Sequence, residues 1–186
     1  MKQVSSKVAG ALIFVGATQF ILCMLIAECI YPSYSVSNNY ISDLGKLDAP
    51  SAPIFNTSVF LLGLTVAAGA YFLRQTIANK VFLCLLILCG VGAMGVGIFP
   101  EDFGITHLLV SLTAFLFGAL SAIASYKFQK PPLSYFAVIL GMISLAALIL
   151  FGRGMYLSLG KGGMERMIAY PILLWAVGFG GYLTKE

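Results

Sequence analysis

Val8–Ile30 reads VAGALIFVGATQFILCMLIAECI, with no charged residue before Glu28. A helix rises about 1.5 Å per residue, and a bilayer core is roughly 30 Å thick, so a run of this length crosses it. Five further apolar runs have the same character: Ile54–Leu73, Val81–Phe99, Ile105–Tyr126, Leu133–Phe151 and Met164–Leu183. Pro100 stops the third run, and Pro131 and Pro132 open the fifth, as proline does at a helix start. Membrane strands are about 10 residues long with alternating polarity, which none of these runs shows. The predicted fold is all-α: a six-transmembrane-helix bundle, with residues 1–186 forming a single transmembrane domain. Composition agrees. The 186 residues are 60% hydrophobic and 10% charged, with mean hydropathy +0.96. Soluble domains carry roughly 25% charged residues, so a cytosolic enzyme, a disordered tail and a nucleic-acid module are excluded. The net charge of +4 is spatially sorted and implies no nucleic-acid partner.

Lys2 and Lys7 before the first run resemble a signal-peptide n-region. The run is too long for that, and it ends in Glu28-Cys29 without a small-x-small cleavage site. Glu28 before Cys29 also disfavours a lipoprotein site. The first run is therefore read as a true helix.

Lysine and arginine set the orientation. Lys2, Lys7, Arg74, Lys80, Lys127, Lys130 and Lys185 fall on one side, opposed only by Glu186. Lys46, Arg153, Lys161 and Arg166 fall on the other, with six of the seven acids and the single histidine. The positive-inside rule places both termini in the cytoplasm of a cell membrane. Any site is then expected to open on the extracytoplasmic side. Cys23, Cys29, Cys84 and Cys89 all lie in predicted spans, where buried thiols are expected in place of a disulfide framework.

The loop after the first span is the longest. Ser35 or Ser37 can cap a short helix there, and Gly45 can end it. A short interfacial helix is expected, with Tyr40, Ile41 and Leu44 toward the membrane or bundle. Asn38, Ser42 and Asp43 are expected to face elsewhere. Asn56-Thr57-Ser58 matches a glycosylation sequon but sits inside a predicted span, so no sugar is expected. Glu28, within the last turn of an apolar helix, is a candidate functional group that could also snorkel outward.

His107 falls in the first turn of the fourth helix, with Ser111 one turn deeper on the same face. It is either a capping residue bonded to a loop carbonyl, or a general base or metal ligand. Gly152 to Arg166 is glycine-rich, carries Arg153, Lys161 and Arg166, and opens into a helix N-terminus. Amides, helix dipole and guanidinium forks can build an anion site there. The bland alternative is a flexible loop whose arginines touch lipid phosphates nonspecifically. Glu165 either neutralises Arg166 or pairs with Arg153.

Several motifs fail. Gly154 to Gly162 has the wrong spacing for a phosphate loop. Gly90-Val91-Gly92-Ala93-Met94-Gly95 matches a dinucleotide fingerprint only literally, since no strand precedes it. With Gly97, it reads better as close helix packing, as does the Gly178, Gly180, Gly181 cluster. No internal repeat and no midplane charge marks a carrier. One histidine excludes a multi-histidine zinc site and leaves open a carboxylate-rich one with His107. No metal ligand set is assigned, and no cofactor can be named.

Asn39-Tyr40-Ile41-Ser42-Asp43-Leu44-Gly45, followed by Pro50 to Phe55-Asn56 and Gly63, resembles the opening signature of the domain-of-unknown-function 998 family. Phe99-Pro100 with His107, and Gly162-Gly163-Met164-Glu165-Arg166 with Tyr170-Pro171, resemble archaeal or bacterial members. The resemblance covers nearly the whole chain. It implies a six-helix integral membrane protein of a prokaryote and carries over no catalytic residue.

Three functions follow as expectations. The first is a site that binds an anionic lipid headgroup, with processing of that headgroup as its extension. Arg153, Lys161 and Arg166 hold the phosphate, Asp43 and His107 act as base and orienter, and Glu28, Asn38 and Asn56 contribute to the ligand site. The second is a noncatalytic scaffold, sensor or subunit in which Asp43, Lys46, Arg153 and Arg166 form a structural lid. A cavity with convergent polar groups separates the two. The third is an oligomeric transporter or channel, associating through the glycine-rich third and sixth helices.

Overall fold

A computed structural model describes residues 2–185; Glu186, counted in the charge tally, lies outside the described residues, as does the side chain of Lys2. Six long helices form: α1 (Lys2–Ile30), α2 (Ala52–Leu73), α3 (Lys80–Ile98), α4 (Ile105–Ala124), α5 (Leu133–Gly152) and α6 (Gly160–Lys185). All six are long and apolar enough to cross a membrane. Among the described residues there is no strand. The chain is an integral membrane protein. Sequential helices pack side by side, and α1 against α6 closes the ring. The three loops opposite the termini, at 31–51, 99–104 and 153–159, share one end of the bundle, called here the far end.

The predicted spans fall on these helices, but their ends differ. The sixth helix starts at Gly160, four residues before the expected Met164. Part of the supposed glycine-rich loop is therefore the first turn of α6. The expected helix in the first loop is a single 3-10 turn, Ser42–Gly45. Asp43, expected to face away, is buried with Leu44 and Gly45. Three donors waiting inside the fold explain the reversal, as described below.

Glycine lets the helices touch. A Cβ on Gly63 would strike the Gly90 carbonyl oxygen, and one on Gly90 would strike that of Gly63, so α2 and α3 meet backbone to backbone. Gly10 of α1 and Gly180 of α6 form the same kind of contact. Such close approach supplies the dispersion contact that water exclusion cannot supply in lipid. Gly178 faces open space and serves no such seat. Two polar side chains within the spans bond across helices. Gln19 Nε2 donates to Ser58 O at 2.8 Å, and Ser144 Oγ donates to Ile168 O at 2.8 Å. The latter lies beside Met167, whose carbonyl loses its helix donor at Pro171.

Candidate functional site

The first loop clasps the other two far-end loops. Its organiser is Asp43. The carboxylate accepts from Tyr40 N at 2.8 Å and from Asn39 Nδ2 at 3.2 Å. Lys46 Nζ lies 2.5 Å from its other oxygen. Burial pushes this carboxyl up, but the bonds from Lys46, Asn39 and Tyr40 outweigh it and hold the group below its ordinary value. Lys46 is raised in turn, first by its hydrogen bond to Asp43. Lys46 also faces Glu101 at 3.6 Å, and Ser42 Oγ donates to Glu101 at 3.0 Å. Leu47 N donates to Asp102 at 2.9 Å. Two acids of the second far-end loop thus hold the first loop down.

The start of α6 holds its other half. Gly162 N donates to Ser37 O at 3.0 Å, and Ser37 Oγ donates to Leu159 O at 2.9 Å. A Cβ on Gly162 would meet Val36 O at 2.5 Å and come closer still to Asn39 O. Gly162 is therefore a seat for the loop, and its amide is occupied. Arg166 Nη2 donates to Glu28 at 2.5 Å and to the Tyr34 hydroxyl at 2.7 Å. Its Nη1 donates to Val36 O and Gly162 O, each at 3.1 Å. Burial pushes the Tyr34 phenol up to about 12, so it stays protonated and donates to Tyr40 O at 3.0 Å.

The cations expected to gather on an anion occupy three different settings. Arg166 is buried and bonded inward. Lys161 Nζ rests 4.4 Å over the Tyr40 ring. Arg153 is exposed at the end of α5. Glu165, expected beside Arg166 or Arg153, is buried and accepts from Ile41 N at 2.5 Å. The partner of Arg166 is Glu28, from a helix more than a hundred residues earlier. Asn38 is exposed. Asn56 Nδ2 donates to Gly45 O at 2.8 Å, while its buried Oδ1 has no partner among the described residues.

Beneath the clasp lies a cavity of about 100 Å³ along the bundle axis. On α6 it runs from Glu165 to Ala176, and at 1.5 Å per residue that is roughly 16 Å of depth. Its deep walls are apolar: Ile13, Val66, Leu86, Phe115 and Ala176 among others. Ile41, Ser42, His107, Ser111 and Glu165 border its far end. His107 Nδ1 lies 2.8 Å from Phe99 O, and Nε2 lies 3.1 Å from Ser111 Oγ. The sequence pairing of Asp43 with His107 is thus replaced by separate partners for each. Asp43 does not line the cavity. Among the described residues no group of three His, Cys, Asp or Glu side chains gathers as a metal site.

Sequence reasoning missed Tyr34 and the Glu28–Arg166 pair. No local signal marks them, because the partners lie 132 and 138 positions from Arg166. Ser111 was legible through its spacing of four from His107.

A family model described as "Protein of unknown function (DUF998)" matches residues 14–182. No curated protein and no solved structure matches the chain. The chain belongs to the DUF998 family.

Proposed function

We propose that this member of the family binds a membrane lipid, with a hydrocarbon chain of the lipid entering the axial cavity and the headgroup held at its far end. The cavity carries this proposal: apolar walls with a few polar groups converging at one end are what a lipid-chain site needs. An apolar cavity of about 150 Å³ holds a benzene-sized molecule, so about 100 Å³ suits a slim hydrocarbon moiety, not a whole lipid. The headgroup then lies beyond Ser42 and His107, near the exposed Arg153 and the half-buried Lys161. Two cations there favour an anionic headgroup. Arg166 has no share in it, because its guanidinium is engaged with Glu28 and Tyr34. The lysine and arginine bias favours an extracytoplasmic far end.

A structural lid is the second reading, favoured by one observation: Asp43, Lys46, Glu101, Glu28 and Arg166 are all paired within the fold. Native mass spectrometry separates the two. The parent protein, released gently from detergent, is expected to retain one lipid per chain. Ala93→Leu and Ala169→Leu fill the cavity wall and are expected to lose it. A parent without lipid, or equal retention in the filled variants, overturns chain binding and leaves the lid.

A further inference from the structure

His107 and Ser111 have the connectivity of a base and a nucleophile. A carbonyl oxygen only accepts, so His107 Nδ1 carries the ring proton and donates it to Phe99 O. In the neutral ring Nε2 then offers a lone pair, and Ser111 Oγ donates to it across 3.1 Å. The imidazole is oriented by a third group, and its basic nitrogen faces a hydroxyl. Polar side chains four apart on a helix commonly bond to each other. This pair differs in its place. Both residues border the axial cavity at the junction between its polar end and its apolar depth, where Phe115 and Ala114 follow on the same helix. Ser42 of the first loop and Glu165 border the same end. His107 and Ser111 are half-buried there, and a hydroxyl–imidazole pair at the mouth of an apolar cavity is placed for proton transfer.

We infer, on the basis of the chain-binding function above, that Ser111 and His107 are a catalytic dyad for acyl transfer from a carboxylic ester of a lipid. The first few carbons of the acyl chain occupy the cavity, which brings the ester carbonyl to the level of Ser111. Ser111 Oγ adds to the carbonyl carbon as its proton passes to His107 Nε2. The tetrahedral intermediate collapses by breaking the bond from the acyl carbon to the alcohol oxygen. That oxygen leaves with the proton from Nε2. Water then adds to the acyl-serine carbon and gives its proton to Nε2. The second collapse breaks the bond to Oγ, which takes the proton back, and the fatty acid is released.

The test uses the full chain in detergent micelles and an alkyl fluorophosphonate, followed by intact-mass and peptide mass spectrometry. One adduct per chain is expected, mapped to Ser111 in the parent, which needs no variant. Ser111→Ala is expected to take no adduct, and His107→Gln to label at least about 100-fold more slowly, in line with the usual worth of a general base. Thr113→Val removes a hydroxyl from the same helix outside the cavity lining and is expected to label as the parent does. Hydrolysis of a chromogenic octanoyl ester is expected to follow the same order. A parent that labels no faster than Ser111→Ala, or an adduct on another serine, overturns the dyad. Retained lipid distinguishes the two proposals. Lipid without labelling overturns the dyad alone; labelling of Ser111 without retained lipid supports the dyad and overturns tight chain binding; neither result overturns both.

Discussion

The two ends of the bundle are built by different rules. At the end that carries the termini, loop contacts are mostly local. Asn79 caps α3 by accepting from Phe82 N at 3.0 Å, and Thr76 Oγ1 donates to Leu73 O at 3.1 Å. At the far end, Leu47–Asp102, Ser42–Glu101, Ile41–Glu165 and Arg166–Glu28 join residues 55 to 138 positions apart. One end is held mostly by turns within each helix pair, with Ser5 Oγ to Gln75 and Trp175 Nε1 to Ser125 as long-range bonds. The other is a clasp that exists only when α1, α3, α4 and α6 are in place. The clasp also roofs the cavity, so the end that holds the proposed site depends on the whole fold.

The sharpest way to break this contrast is to remove one charge from the clasp. Arg166→Met leaves Glu28 without its partner in a largely buried setting. Breaking a buried pair on one side costs about 3–5 kcal/mol. Restoring neutrality with Glu28→Gln in the same chain is expected to recover much of it. Lys127→Ala, at the exposed opposite end, is expected to stay within about 0.5 kcal/mol. Thermal unfolding in detergent reads all three. An equal loss for Arg166→Met and Lys127→Ala would erase the distinction between the ends.

A backbone seat is the next test. Gly162→Val drives a side chain into Val36 O and Asn39 O, and overpacking of this kind costs about 1–3 kcal/mol. Gly152→Ala meets nothing within 4 Å and has no left-handed backbone to lose, so little change is expected. The same unfolding assay checks the pair. If both variants behave alike, Gly162 does not seat the first loop.

What the sequence made legible follows the same division. Runs such as Val8–Ile30 announce their helices because length and apolarity alone decide a membrane span. The glycines of α3 announced close packing, since a literal nucleotide fingerprint inside a span has no other use, and Gly63 meets Gly90 as that predicts. The far end resisted because charge type does not say which charge answers it. Arg166 looked like an anion ligand, yet its ligand is Glu28 of the same chain. Gly160 to Gly163 looked like a flexible loop, yet it is a helix start made thin for a neighbouring backbone. In sequence Asp43 groups with Asn38 and Ser42 as facing away from the bundle, but Asn39, Tyr40 and Lys46 all turn toward it.

The pH dependence of the clasp sharpens the role of Asp43. Its folded value lies below the ordinary 3.8, so the unfolded chain binds protons more readily there. The stability it contributes is present above 3.8 and is lost as pH falls through the folded value. Lys46 has the opposite sign: raised above 10.5, its contribution is full below that pH and fades as pH rises through the folded value. The difference in stability between the parent and Asp43→Asn is therefore expected to be widest on the plateau between these limits and to shrink on the acid side. A difference that stays constant down to strongly acid pH contradicts the ion pair as its source.

The smallest effect separates the two arms of Lys46. Toward Asp43 the ammonium meets a carboxylate whose side chain is 5% exposed, at 2.5 Å. Toward Glu101 the partner is 28% exposed and lies at 3.6 Å, with Lys46 itself 34% exposed. Water screens the second arm far more than the first, and exposed pairs contribute about 0–1 kcal/mol. A double-mutant cycle with Lys46→Met and Glu101→Gln is expected to fall in that range and to weaken as salt rises, because ions screen an exposed pair first. The matching cycle with Asp43→Asn is expected to give the larger coupling and the weaker salt dependence. The ordering matters more than either value. If the Glu101 arm proves as strong and as salt-resistant as the Asp43 arm, the clasp is held at its rim instead of its buried carboxylate, and the second far-end loop becomes the anchor of the roof.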